Sequence, residues 1–127
     1  IRSAKLFKMD LEGRYGMEKS RNYNLNMVRG DTLAFGFEVE GVDQIDTAFF
    51  SCKINADDDE YVFQKSFHDG ITDAGDGQYR VRVAPSDTED VEVGSYYYDL
   101  EIGVNEDIYT ILKGRLKIEQ DITREVS

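Results

Sequence analysis

The chain has 127 residues, a net charge of -11 at pH 7 and a pI near 4.4, with one cysteine, one proline and no tryptophan. That length suits one domain, which needs no disulfide or metal to bury a core, and a lone cysteine excludes an internal disulfide. The acidic field repels a phosphate backbone, which argues against nucleic-acid binding, and no run of about twenty apolar residues exists to cross a membrane as a helix.

Residues 1–20 form an N-terminal arm with five basic and three acidic side chains, net +2, whereas residues 21–127 carry a net -13. No apolar leader-like stretch occurs in the arm. Phe7, Met9 and Leu11 alternate with Lys8, Asp10 and Glu12 as an edge strand would, yet Ala4, Phe7 and Leu11 also fit one helical face. Gly13 and Gly16 then break the segment, and the opposite charge of the body makes a neighbouring copy the expected docking site for the arm.

The body, residues 21–120, alternates apolar and polar residues with period two in seven segments, which puts one side of each strand against a core and the other in water. The first carries Tyr23, Leu25 and Met27, and Arg29-Gly30-Asp31 turns the chain. Thr32 to Glu40 aims Leu33, Phe35, Phe37 and Val39 inward. Thr47 to Asn55 does the same with Ala48, Phe50, Cys52 and Ile54, so Cys52 reads as a small buried hydrophobe rather than a reactive thiol. Asp57-Asp58-Asp59 is a solvated tip. Tyr61 to Phe67 is interrupted on its inward side by Lys65, a device that guards edge strands. A loop over Asp69 to Gly77 leads to the strand Gln78 to Ala84, which Pro85 ends. A loop with one helical turn capped by Ser86 follows. Ser95 to Ile102 aims Tyr96, Tyr98, Leu100 and Ile102 inward, and its Gly94-Ser95-Tyr96 entry resembles a tyrosine corner. Ile108 to Glu119, with Ile108, Leu112, Leu116 and Ile118 inward, is last, and residues 121–127 form a C-terminal tail.

Seven such strands predict an all-β, immunoglobulin-like β-sandwich of antiparallel strands, with a jelly roll that includes the arm as the alternative. His68 is the only imidazole, and no Gly-x-Ser-x-Gly elbow accompanies it, so no catalytic residues are assigned. One histidine and one cysteine do not make a zinc site. Asp57 to Glu60, or Asp69, Asp73 and Asp76, offer oxygen ligands for calcium but lack EF-hand spacing, and solvated tips account for them. No cofactor and no metal is expected.

The alternation points Phe49, Tyr97, Tyr109 and Ile111 outward from three strands that share a sheet in the immunoglobulin-like topology. Clustered, they form an interaction face, covered by a partner, by the arm, or by the arm of another copy. As an open aromatic row, Phe49, Tyr97 and Tyr109 would instead suit a carbohydrate-binding module, with a host-surface glycan as ligand.

Three stretches carry a family likeness. Asn24 to Thr32 resembles the "x-Arg-Gly-Asp-Thr/Ser" opening of small Ig-like virion structural proteins of tailed bacteriophages. Gly94 to Ile102 resembles their "Gly-x-Tyr-x-Tyr-Asp-Leu" strand. Thr110 to Ile118 with Asp121-Ile122-Thr123-Arg124 resembles their closing motif. The likeness spans residues 23–124 and is similar to that of baseplate upper protein N-terminal domains. It implies a non-enzymatic virion component of tail, baseplate, neck or capsid surface, made in the host cytoplasm. Its partners would be other virion proteins and copies of itself. Because the sequence stops just after the closing motif, an adaptor, decoration or stopper role is expected rather than receptor binding.

Overall fold

The computed structural model describes the backbone of residues 3–9 and 15–18, and residues 22–40 and 44–120. Its strands are β1 (Ser3–Met9), β2 (Tyr15–Glu18), β3 (Leu25–Val28), β4 (Leu33–Glu40), β5 (Thr47–Lys53), β6 (Phe63–Phe67), β7 (Gly70–Gly75), β8 (Gln78–Val83), β9 (Gly94–Val104) and β10 (Asp107–Glu119). One helical turn, α1 (Pro85–Thr88), lies between β8 and β9. The protein is all-β. The strands join in the order β2-β1-β4-β8-β7-β6-β5-β9-β10-β3, and eight of them nearly close into a barrel.

Three segments raise the strand count above seven. β1 and β2 form a hairpin, and β1 pairs antiparallel with β4 of the same chain, with Leu6 opposite Phe37 and Phe7 opposite Gly36. Within the chain the arm extends its own sheet, where the sequence pointed to a neighbouring copy: β4 offers it the edge of backbone donors and acceptors that β8 leaves open. The glycine- and aspartate-rich segment after Phe67 is not a loop; β7 pairs with β8. Its turn chemistry serves the Asp76-Gly77 hairpin, where both residues adopt positive φ, as a two-residue turn requires.

The core follows the alternation over most of its length. Phe35, Phe37, Phe50, Cys52, Tyr79, Val81, Val83, Tyr98, Leu100, Leu116 and Ile118 are buried. Phe50 of β5 meets Phe35 of β4 edge-on at 5.3 Å and Tyr98 of β9 at 5.4 Å, so one ring joins the two halves of the sheet. Leu33 is half-buried. Ile54 is 62% exposed, because β5 stops at Lys53 and the chain turns before it can reach the core.

Lys65 does not guard an edge, since β6 is paired with β5 on one side and with β7 on the other. Its side chain is buried, and Nζ donates to Asp87 at 3.1 Å and to Asp69 at 3.2 Å. Burial on its own would lower this lysine's pKa; the hydrogen bonds to Asp87 and Asp69, with their charges, more than offset it and the pKa rises. Asp87 also accepts from the Ala84 N–H at 2.7 Å. It is this carboxylate, not Ser86, that caps the helical turn, with Pro85 supplying a preset φ at its first position.

The turn over Arg29, Gly30 and Asp31 is built into this frame. Gly30 has φ +79° and is buried, and its N–H donates to the fully buried Thr88 Oγ1 at 2.9 Å. The tripeptide thus works as a turn.

Candidate functional site

β5, β9 and β10 are neighbours, and β9 lies between the other two. Directly opposite residues share a face, so the register assembles the outer surface row by row. Lys53, Tyr97 and Arg115 form one row, Ser51, Asp99 and Lys113 the next, and Phe49, Glu101 and Thr110 the third.

The four residues expected on this face separate. Tyr97 is there in the first row, 37% exposed, and Phe49 is half-buried in the third, with the Ser51–Asp99–Lys113 row between them. Tyr109 and Ile111 are not. The β9–β10 register shifts between Thr110 and Leu112, and this bulge reverses the faces on its turn-proximal side. Tyr109 stands opposite the inward Ile102 and packs against the core. Ile111 is only 8% exposed and belongs to the core, whereas Ile108, expected inside, is 60% exposed. An extra residue in one strand shifts alternation by one position. An open row of Phe49, Tyr97 and Tyr109 rings therefore does not form. In the arm, Phe7 and Met9 lie within β1, opposite Met17 and Tyr15 of β2. Leu11 lies outside the described residues.

What the register does assemble is charged. A groove of ≈ 350 Å³ is lined by Lys53, Lys113, Arg115, Tyr97, Asp99 and Asn22, among others. A neighbouring hollow of ≈ 290 Å³ continues from Asp99 and Lys53 to Phe49, Tyr61 and Glu101. The Arg115 guanidinium lies over the Tyr97 ring, 4.1 Å from its centre, and its Nε donates to the Tyr96 carbonyl at 3.3 Å. Lys53 Nζ lies 5.3 Å from the Tyr61 ring centre. Both are cation–π contacts, which fix rings and charges together at a surface. Asp99 is half-buried on the groove floor, and burial raises its carboxyl pKa against the opposing charge of Lys53.

The groove end nearest β3 is held by backbone contacts. Tyr98 Oη donates to the Tyr23 carbonyl, and the Tyr23 N–H donates to the Lys113 carbonyl at 2.9 Å. A Cβ on Gly114 would collide with the same Tyr23 carbonyl oxygen, so this glycine is required by close approach. Burial raises the Tyr98 phenol well above its usual range. At the entry to β9, Tyr96 Oη donates to the Glu92 carbonyl four residues upstream at 2.6 Å, which is the bond of a tyrosine corner.

The remaining candidates lie apart. Burial pushes the Cys52 thiol up to about 12, which leaves no thiolate at neutral pH. His68 is exposed in a turn at φ +68°. Among the described residues, no three His, Cys, Asp or Glu side chains group as metal ligands, and no helix is long and apolar enough to cross a membrane.

Alternation already marks Lys53, Asp99, Lys113 and Arg115 as outward. Their meeting depends on inter-strand register, which a single sequence does not state. No model of a known protein family matches the chain, and no curated protein matches it.

Proposed function

We propose that the protein is a non-enzymatic structural component of a tailed-phage virion, acting through protein–protein assembly with other virion proteins. One observation carries this reading: the three stretches that bear the family likeness are spatial neighbours. β3 runs beside β10 and β10 beside β9, so Asn24 to Thr32, Gly94 to Ile102 and Thr110 to Ile118 make one continuous surface. Their shared residues do structural work at its seams: Tyr96 closes the corner, Tyr98 and Gly114 hold the Tyr23 carbonyl, and Gly30 binds Thr88.

The same reading takes the fold as immunoglobulin-like. The neighbours β4-β8-β7 follow the B-E-D order of that architecture, and β5-β9-β10 follow its C-F-G order. The tyrosine corner at the start of the F-equivalent strand agrees with this. The parallel β3 is an addition at one edge, and β6 links the two triplets through β7 and β5.

An antibody raised against the purified domain should label intact tailed particles from lysates in which the protein is made. Mass spectrometry of density-purified particles should find it in fixed stoichiometry. Protein found only outside the particles contradicts the proposal.

A further inference from the structure

The groove between β5, β9 and β10 is an island of positive charge on an acidic protein. Lys53, Lys113 and Arg115 surround one carboxylate, Asp99, in a chain of net charge -11. Beside it stands the opposite: the turn after β5 presents Asp57, Asp58, Asp59 and Glu60. Asp58 is spent on its own turn, where its carboxylate accepts from the Asn55 N–H at 3.0 Å. Asp57, Asp59 and Glu60 are exposed. The two features adjoin, since Ala56 lines the groove and Tyr61 lines the hollow that continues it.

Exposed apolar side chains gather at the same place. Ile54 and Tyr61 flank the acidic tip and Tyr97 lies in the groove; these are three of the five large exposed hydrophobics among the described residues. Tyrosine and arginine in such a setting are the residue types that anchor protein interfaces.

A basic groove next to an acidic tip on one face is complementary to itself under a two-fold rotation. Each copy then offers its tip to the other's groove, which is the condition for a closed dimer. We propose that a second copy of this chain docks on the outer face of β5, β9 and β10, with the Asp57–Glu60 tip of each copy in the Lys53/Lys113/Arg115 groove of the other. The proposal rests on the assembly reading and names the surface and the partner. Tyr97 and Tyr61 are the apolar centre, and the charge pairs set orientation and encounter rate.

Sedimentation equilibrium of the chain from micromolar to submillimolar concentration should show a monomer–dimer equilibrium. Its dissociation constant should rise about tenfold or more from low to physiological salt, because rim charges are screened. A Lys53→Glu/Lys113→Glu chain should be monomeric, and so should an Asp57→Lys/Asp59→Lys chain, each keeping wild-type circular dichroism. Mixed together they should pair, since the reversed groove meets the reversed tip and the intact groove meets the intact tip. A wild-type chain that stays monomeric throughout, or reversed chains that do not recombine, overturns the proposal. Should a reversed chain fail to fold, the neutral changes Lys113→Gln and Asp59→Asn replace it. Each should weaken association, and the double change should cost less than the sum of the two; strict additivity overturns the pairing. Labelled particles together with a monomeric chain would overturn self-association alone, whereas recombining chains without particle labelling would overturn the virion reading alone.

Discussion

Strands β8 and β10 both present one apolar side to the core, yet they accommodate the curl of the sheet differently. β8 pairs with β4 without a break from Leu33–Val83 to Glu38–Gln78, and its residues are exposed and buried in strict alternation. β10 is more than twice as long and breaks its pairing with β9 once, between Thr110 and Leu112. A bulge bends a strand and increases its local twist, which suits a long hairpin wrapped around a nearly closed sheet. The difference teaches that one unpaired residue decides which side chains are available for function. It sends Ile111 and Tyr109 inward, turns Ile108 out, and leaves the exterior to Tyr97, Arg115 and their charged neighbours.

Alanine substitution in the two strands' surroundings should sharpen this contrast. Phe37→Ala, opposite Tyr79 in the unbroken ladder, should cost about 3–5 kcal/mol through lost transfer energy and a cavity. Ile111→Ala should cost about 2 kcal/mol or more, as for a core residue, while Ile108→Ala should stay within about 0.5 kcal/mol. Urea titrations read all three. A reversed ranking of Ile111 and Ile108 would mean that β10 carries no bulge.

The buried ion pair gives the next largest effect. Asp87→Ala strips Lys65 of its better-shielded partner and removes the cap at Ala84, and should cost about 3 kcal/mol. Lys65→Met leaves Asp87 its Ala84 bond and should cost clearly less. A larger loss for Lys65→Met than for Asp87→Ala would show that the lysine, not the aspartate, organises the joint between β6 and α1.

Legibility in the sequence followed the same division. The all-β class and the core sides of β4, β5, β8 and β9 could be read from period two alone, because hydrophobic burial imposes that period wherever pairing is regular. Three things were hidden. The bulge at Ile111 has no glycine or proline to announce it. β7 is written in turn residues, since its outward side is solvated and its partner β8 supplies the pairing. The arm's attachment to β4 depends on which free edge lies nearest in space. The groove was half legible: outwardness of Lys53, Asp99, Lys113 and Arg115 was visible, but not their register.

A smaller, pH-dependent effect tests burial on the inner side of β5, whose outer side lines the groove. The folded chain keeps the Cys52 proton up to about 12, whereas an unfolded chain loses it near about 8.5. The unfolded state then binds fewer protons, so stability falls as pH rises through that window, by up to about 1.4 kcal/mol per unit. Tyr98, raised by burial as well, adds to the fall above about pH 10. Unfolding free energies at pH 8 and 10 should show the decline, and Cys52→Ala should flatten it while lowering the whole curve. Identical slopes would mean that the thiol is exposed.

The smallest effect lies at the β9–β10 turn, where Asn105 and Glu106 both have positive φ, +50° and +75°. Glycine suits the second position of such a turn. Glu106→Gly should raise stability by about 0.5–1 kcal/mol, read as an upward shift of the melting temperature. A loss would show that the Glu106 side chain makes a contact worth more than the strain.

Cryo-electron microscopy of purified particles tests the central claim, assembly through the outer face of β5, β9 and β10, most directly. The account predicts the domain as a fixed part of the particle, with Tyr97 and Arg115 covered by a second copy whose Asp57–Glu60 tip reaches Lys53 and Lys113. A particle without the domain, or a domain whose Tyr97–Arg115 face is open to solvent while other surfaces make the contacts, would contradict it.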